Sequence, residues 1–396
     1  MSAVRFDVER ARGETRGCSD LIHFNNAGAS LMPVPVCDAL HDYLNREELE
    51  GGYEVMEKQA AALENFYSAA ARMLSCSEEE IAFVDSATRG WAMAFYAFNF
   101  QPGDRILTSS AEYGSNLVAM LHQARHRGVE IVFVPEDQHG QVDVAALQGL
   151  IDSRVKLIAL THVPSGGGLV NPAVAVGKVA NSAGIPFLLD ACQSLGQLPC
   201  DVNLLGCDIL CGTGRKFLRG PRGTGLLYVR NTLCDKLEPP LLNHHAAILL
   251  SSDRYRVRSD ARRFESWERN CAGQVALGIA IDYALSWGLG MIAERVKSLA
   301  ASLRAELAGI AGVEVWDRGI EKCGIVTFST EQLSAAETQE QLAARRINLS
   351  LVPFSANPRL CEQQHLPELV RASLHYYNTE TELAVFLDEL RNLLNS

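Results

Sequence analysis

Phe187-Leu188-Leu189-Asp190-Ala191-Cys192-Gln193 and, after a short spacer, Cys207-Asp208-Ile209-Leu210-Cys211-Gly212-Thr213-Gly214-Arg215-Lys216 make up the stretch that decides the fold. Each half reads as a short apolar strand ending in polar residues. The first delivers a carboxylate, Asp190, and the second an amine, Lys216, behind a Gly-rich turn. Side by side in a parallel sheet, the two strands would present acid and amine at one sheet edge. Such a pair suits a cofactor with a basic ring nitrogen and an aldehyde, which is the chemistry of pyridoxal phosphate (PLP).

Working outward, short and continuously apolar strands at 81–84, 105–108, 130–134, 155–160, 186–190, 208–211 and 225–229 alternate with helices at 88–98, 115–127, 143–151 and 172–183. This alternation predicts an α/β fold with a mostly parallel seven-stranded sheet flanked by helices. Before it lie a short helix plus linker over 1–20, a strand entering a small-residue turn at 23–30, a helix to about residue 49 broken by Gly51-Gly52, and one helix over 53–74. Residues 231–265 read as irregular and charged. Helices at 272–287 and 290–310 follow. Strands at 313–315, 324–328, 347–351 and 371–374, with helices at 335–346 and 379–394, then suggest a small C-terminal α+β domain. The expected division is an N-terminal segment 1–20, a large domain 21–285 and a small domain 286–396.

Composition narrows the function. The 396 residues are 47% hydrophobic and 21% charged, as in ordinary globular proteins. A net charge of −11 argues against a nucleic-acid surface, which needs a basic face. No apolar run reaches the length of a membrane span. Met1–Asp7 has no apolar signal core. Eleven cysteines cannot pair fully, and none forms a CxxC or another metal-type spacing, so reduced thiols in a cytoplasmic protein are expected.

Ligands of open parallel sheets bind past the C-terminal strand ends. Asp190, Gln193, Thr213 and Lys216 fall there, with Ser86, Thr88, Glu112, Tyr113, His162 and Ser165. Ser86-Ala87-Thr88 precedes a helix, whose free amides and dipole favour an anion; an ordinary N-cap is the alternative.

Three segments together resemble the class V aminotransferase family, the cysteine desulfurase-like PLP enzymes of the type I fold, over about residues 22–392. They are Asp190-Ala191-Cys192-Gln193, the Gly214-Arg215-Lys216 turn followed by Gly220-Pro221-Arg222-Gly223 and Leu227-Tyr228, and Arg371-Ala372-Ser373 with Tyr377-Asn378-Thr379. By that resemblance Lys216 carries the cofactor aldehyde and moves protons at the substrate Cα. Asp190 faces the pyridine nitrogen, Gln193 the ring 3-oxygen, and Tyr113 covers the ring face. Ala87, Thr88, Thr213 and Arg215 reach the phosphate. Arg371 pairs with the substrate α-carboxylate, and Asn26, Ala27 and Ser165 line the substrate side. Taken singly, Asp190 could be a strand-end cap, Lys216 a surface lysine and Tyr113 a packing residue.

Several positions depart from the family. Arg215 stands where a His commonly precedes the lysine, and either phosphate binding or tuning of Lys216 would explain it. Tyr113 replaces a stacking His, and Ser165 replaces an Asn. Ser266 lies where a partner subunit's phosphate contact comes in the family, but Trp267 and Glu268 break the usual pattern; His244-His245 either line the same mouth or form a solvated loop pair. Residues 350–358 contain no Cys, where persulfide-forming desulfurases carry a nucleophilic one; Cys361 lies just beyond in unmatched surroundings. The resemblance is therefore nearer the C–S lyase and epimerase branch. It implies a homodimer acting on a small-molecule amino acid, with no nucleic-acid or membrane partner. The leading reading is Cβ–S cleavage of a cysteine-derived substrate by β-elimination, revealed by pyruvate release. Transamination would show ping-pong half-reactions, and epimerisation hydrogen exchange at Cα with inversion. A binding module that keeps the fold without the chemistry would have no use for both Asp190 and Lys216.

Overall fold

The structure is a computed structural model and describes residues 6–395; of the residues 1–7 read as free of a signal core, 1–5 lie outside the described ones. In chain order the strands are β1 (Ile22–His23), β2 (Ile81–Val84), β3 (Arg105–Thr108), β4 (Glu130–Phe133), β5 (Val155–Thr161), β6 (Phe187–Asp190), β7 (Ile209–Thr213), β8 (Gly225–Val229), β9 (Ala247–Ser251), β10 (Arg254–Val257), β11 (Val313–Val315), β12 (Ile325–Thr330), β13 (Ile347–Asn348), β14 (Ser350–Leu351) and β15 (Val370–Ser373).

The central sheet has seven strands in the order β2-β8-β7-β6-β5-β3-β4. β3 to β7 are parallel, and β8 runs antiparallel to both its neighbours, β7 and β2. Side chains alternate between two cores. Phe187, Leu189, Ile158 and Leu210 pack with Phe66 and Val176 on one face. Leu188, Ala159, Ile209 and Leu227 pack with Trp91 and Met120 on the other. Burial on both faces is why these strands read as unbroken apolar runs. Each fully buried Leu or Phe contributes roughly 1.5–3 kcal/mol relative to exposure.

The later part of the chain builds a four-stranded antiparallel sheet, β11-β12-β15-β14. Helices Leu289–Ala308, Ala335–Ala344 and Glu380–Leu394 pack Leu303, Leu342 and Phe386 against its Phe328, Val370 and Ala372. β1 joins this region: Ile22 pairs in parallel with Ile347, and Asn25 bridges Ser373.

Local differences from the sequence reading have physical causes. The helix expected over 53–74 is two, Gly52–Lys58 and Ala60–Leu74, with a bend at Gln59. A continuous helix would set Val55 and Leu63 about 80° apart; across the bend both enter one cluster with Tyr43 and Val275. The expected strand 347–351 divides into β13 and β14, which serve different partners. Residues 231–265 hold the β9–β10 hairpin, whose Ile248, Leu249 and Leu250 are exposed and so give no burial pattern to read. Helix Pro358–Gln364 lies between β14 and β15, where the sequence reading assigned no element. Among the described residues no single helix is long and apolar enough to cross a membrane.

Candidate active site

The parallel strands deliver their C-terminal ends to one edge, where a cleft of about 560 Å³ opens. Asp190 ends β6 opposite Cys211 of β7. β7 runs on through Thr213 into a closed turn: Gly214 N–H donates to Thr224 O (3.0 Å), Gly220 N–H to Gly214 O (2.7 Å) and Arg219 N–H to Lys216 O (2.9 Å). That turn brings Lys216 into the same cleft as Asp190. Arg219 anchors it from behind. It sits at φ +60° and is buried, and its guanidinium donates to Leu31 O, Tyr376 Oη and Thr15 Oγ1.

Asp190 accepts one hydrogen bond on each oxygen, from Cys192 N–H (2.9 Å) and from Asn116 Nδ2 (2.8 Å). Lys216 is 8% exposed. Burial pushes its pKa below the ordinary 10.5; Arg215 and Arg371 push the same way, against Cys192 and Asp190. The Arg371 guanidinium donates to Ser165 O (2.7 Å), and burial with the nearby Arg215 holds its pKa down to about 10, so it stays cationic at neutral pH.

Of the sequence candidates, Ala87, Thr88, Tyr113, Ser165, Asp190, Gln193, Thr213, Arg215 and Lys216 all line the cleft. Arg371 adjoins it through Ser165. Ser86 caps helix Ala87–Phe95, its Oγ accepting from Arg89 N–H at 3.2 Å, so the cap and the anion seat are compatible. β8 starts beneath this helix at Gly225, where a Cβ would lie 2.6 Å from Gly212 O and 3.2 Å from Ala87 N. Thr213 Oγ1 donates to Thr224 O (3.4 Å). One nitrogen of Arg215 donates to Gly28 O.

Asn26 and Ala27 are not brought to the cleft. Asn26 is fully buried; its Nδ2 donates to Ser373 O (2.7 Å) and His23 O (3.2 Å), and its oxygen accepts from Tyr377 Oη. Ala27 contributes a carbonyl that accepts from Gln193 Nε2 (3.1 Å). These two residues are hydrogen-bonded to Ser373 and Gln193 and do not line the cleft. His162 also stays behind: its backbone N–H donates to the backbone carbonyl of Asp190 (2.9 Å), and burial lowers its imidazole pKa to about 4. His244 packs tilted against Trp267 (4.7 Å between ring centroids) and His245 bonds Glu265 (3.0 Å), and neither is among the residues that line the cleft.

Cys192, Thr161, Val163, Asp85 and Gly223 also line the cleft. Cys192 was visible between Asp190 and Gln193; Asn116 gave no signal, since it meets Asp190 across 74 residues. Glu112 is buried against Thr108, Tyr113, Asn116 and Thr161, and burial raises its carboxyl pKa.

Gln193 Oε1, Ser165 Oγ, Arg371 Nε and, just behind, His162 Nδ1 lack a partner among the described residues. Buried polar groups are costly to leave open, and those at the cleft suit a polar ligand. A carboxylate, an amine eased toward neutrality, a helix start and an open guanidinium edge fit a phosphorylated pyridine aldehyde together with an amino-acid carboxylate.

Comparison with known proteins agrees. The family described as Aminotransferase class-V matches residues 22–386. A probable cysteine desulfurase of Methanothermobacter thermautotrophicus is 27% identical over 383 residues, 94% of this chain and 95% of that protein. A cysteine desulfurase of Serratia proteamaculans is 30% identical over 412 residues, 99% of this chain and 100% of that protein. The apo structure of a cysteine desulfurase from Thermococcus onnurineus superposes with a TM-score of 0.92 at 26% identity, covering 100% of both chains.

Proposed function

Because the chain belongs to the class V aminotransferase family and is a PLP-dependent enzyme, we propose that it cleaves the Cβ–S bond of a cysteine-derived amino acid by β-elimination. Bound PLP supplies an aldehyde for an amine and an electron sink for the pair left at Cα. Lys216 would hold that aldehyde and, once displaced by the substrate amine, would take the Cα proton as a neutral amine. Asp190 keeps lone pairs for the ring nitrogen beyond the two hydrogen bonds it accepts. Gln193 and Tyr113, which line the cleft, would hold the ring, and Ala87, Thr88 and Thr213 would hold the phosphate. Arg215, already donating to Gly28 O, chiefly tunes the charge at Lys216. Arg371 and Ser165 would orient the α-carboxylate, with Asn26 bracing Ser373 on the strand that carries Arg371 and Ala27 bracing Gln193. Sulfur leaves with the Cβ–S electron pair, and the three-carbon product hydrolyses to pyruvate and ammonia.

The observation that carries this reading is Lys216 with its pKa lowered, in one buried cleft with Asp190 and beside the open edge of Arg371. The names of the relatives support C–S chemistry. Elimination is favoured over sulfur relay because Cys361 sits on helix Pro358–Gln364 outside the cleft lining. The test is a panel of cysteine, cystine, S-alkyl cysteines and their sulfoxides given to PLP-loaded enzyme. Pyruvate release is expected. Alanine in its place would assign sulfur transfer, and no turnover across the panel would overturn the reading.

The proposal includes a cytoplasmic homodimer acting on a free amino acid, with no nucleic-acid or membrane partner. Eleven free thiols and the exposed Ile248, Leu249, Leu250 and Tyr255 of the β9–β10 hairpin support it. It also divides the chain into an N-terminal segment 1–20, a large domain 21–285 and a small domain 286–396.

A further inference from the structure

Behind the cleft lies a carboxyl that the chemistry above does not use. Glu112 is 2% exposed and has no ion-pair partner among the described residues. It is held by hydrogen bonds alone. Oε2 accepts from Thr108 Oγ1 (3.1 Å); Oε1 accepts from Thr161 Oγ1 (2.5 Å), Tyr113 N–H (3.0 Å) and Asn116 Nδ2 (2.8 Å). These donors come from the ends of β3 and β5, from the residue that starts helix Gly114–Arg127, and from that helix's first turn. A buried carboxyl is expensive to keep. If the place served packing alone, an apolar side chain would fill it at less cost.

The Asn116 amide shows what the arrangement accomplishes. Its nitrogen has two hydrogens, and it donates to Glu112 Oε1 and to Asp190 Oδ2 at 2.8 Å each. Asp190 Oδ1 is tied to Cys192 N–H. With Glu112 in place, the amide cannot turn its oxygen toward Asp190 without putting oxygen against oxygen on both sides. The same carboxyl holds the backbone N–H of Tyr113, which lines the cleft.

We propose that Glu112 is a positioning residue that fixes Asp190 through the Asn116 amide and Tyr113 through its backbone, and thereby sets how tightly the pyridine ring is held. This rests on the PLP reading. The test is titration of stripped apoenzyme with PLP, following the visible band, for wild type, E112A, E112Q and N116A, with the melting temperature of each apo form. E112A and N116A are expected to weaken PLP binding by about 10- to 100-fold, the range that outer hydrogen-bond partners carry at metal sites, and to move the band. E112Q keeps an acceptor for Asn116 and stays near wild type. If E112A does not fold, N116A carries the test, since Glu112 then keeps its other donors. Wild-type affinity and an unmoved band in N116A overturn the inference, as does E112Q falling as far as E112A. A wild-type chain that binds no PLP overturns the functional reading itself, a different outcome.

Discussion

Lys216 must lose a proton before it can act, and its surroundings favour that loss through burial and two nearby arginines. Activity should therefore rise with pH through a midpoint below the ordinary lysine value of 10.5, read from a pH profile of kcat. Lys216→Ala should cost about 100- to 10,000-fold in kcat, and borohydride should no longer fix cofactor to the chain. His162 makes a second prediction, about stability. Folded, it stays neutral to about pH 4, whereas unfolded it protonates near 6.5. Between these values the unfolded chain binds more protons, so stability falls as pH drops from 6.5 to about 4 and levels off below. His162→Gln should reduce that slope by at most about 1.4 kcal/mol per pH unit in urea midpoints. The slope will not vanish, because burial lowers His23 and His375 as well.

The turn after β6 and the turn bearing Lys216 press together at Gly196. Its φ is +90°, and a Cβ there would lie 2.2 Å from the carbonyl carbon and oxygen of Phe217, next to Lys216. Neither atom belongs to a flexible side chain. Gly196→Ala should cost about 1–3 kcal/mol in chemical denaturation and also weaken PLP retention, because relief requires moving the Lys216 turn. The elements that build this edge were legible in the sequence because Leu188, Leu189, Ile209 and Leu210 leave no polar position for a solvent face. The bend at Gln59 and the β9–β10 hairpin were not, since neither Gly nor Pro marks the first and the apolar residues of the second are exposed. At the cleft, Asp190 and Lys216 were legible from strand-end position. The inward turn of Asn26 was not, because it depends on Tyr377 and Ser373, more than 340 residues away.

Taken whole, one chain leaves Ile248, Leu249, Leu250 and Tyr255 bare on a single hairpin. If this face is where two copies meet, light scattering should report twice the chain mass of 43.2 kDa. Leu249→Asp should then shift the population toward monomer without lowering the melting temperature of the monomer itself. Elution of the wild type as a fully active monomer would contradict the dimer. A different long-range feature bears on how the protein is made. β1 finds its partner in β13, and His23 touches Asn348 across 325 residues. A ribosome adding about 5–20 residues per second therefore leaves the first strand waiting for tens of seconds. Phe24, fully buried once folded, waits likewise for Leu299, Val370 and Phe386. Until β13 is made, β1 keeps an open strand edge, the kind of surface that pairs wrongly with other chains.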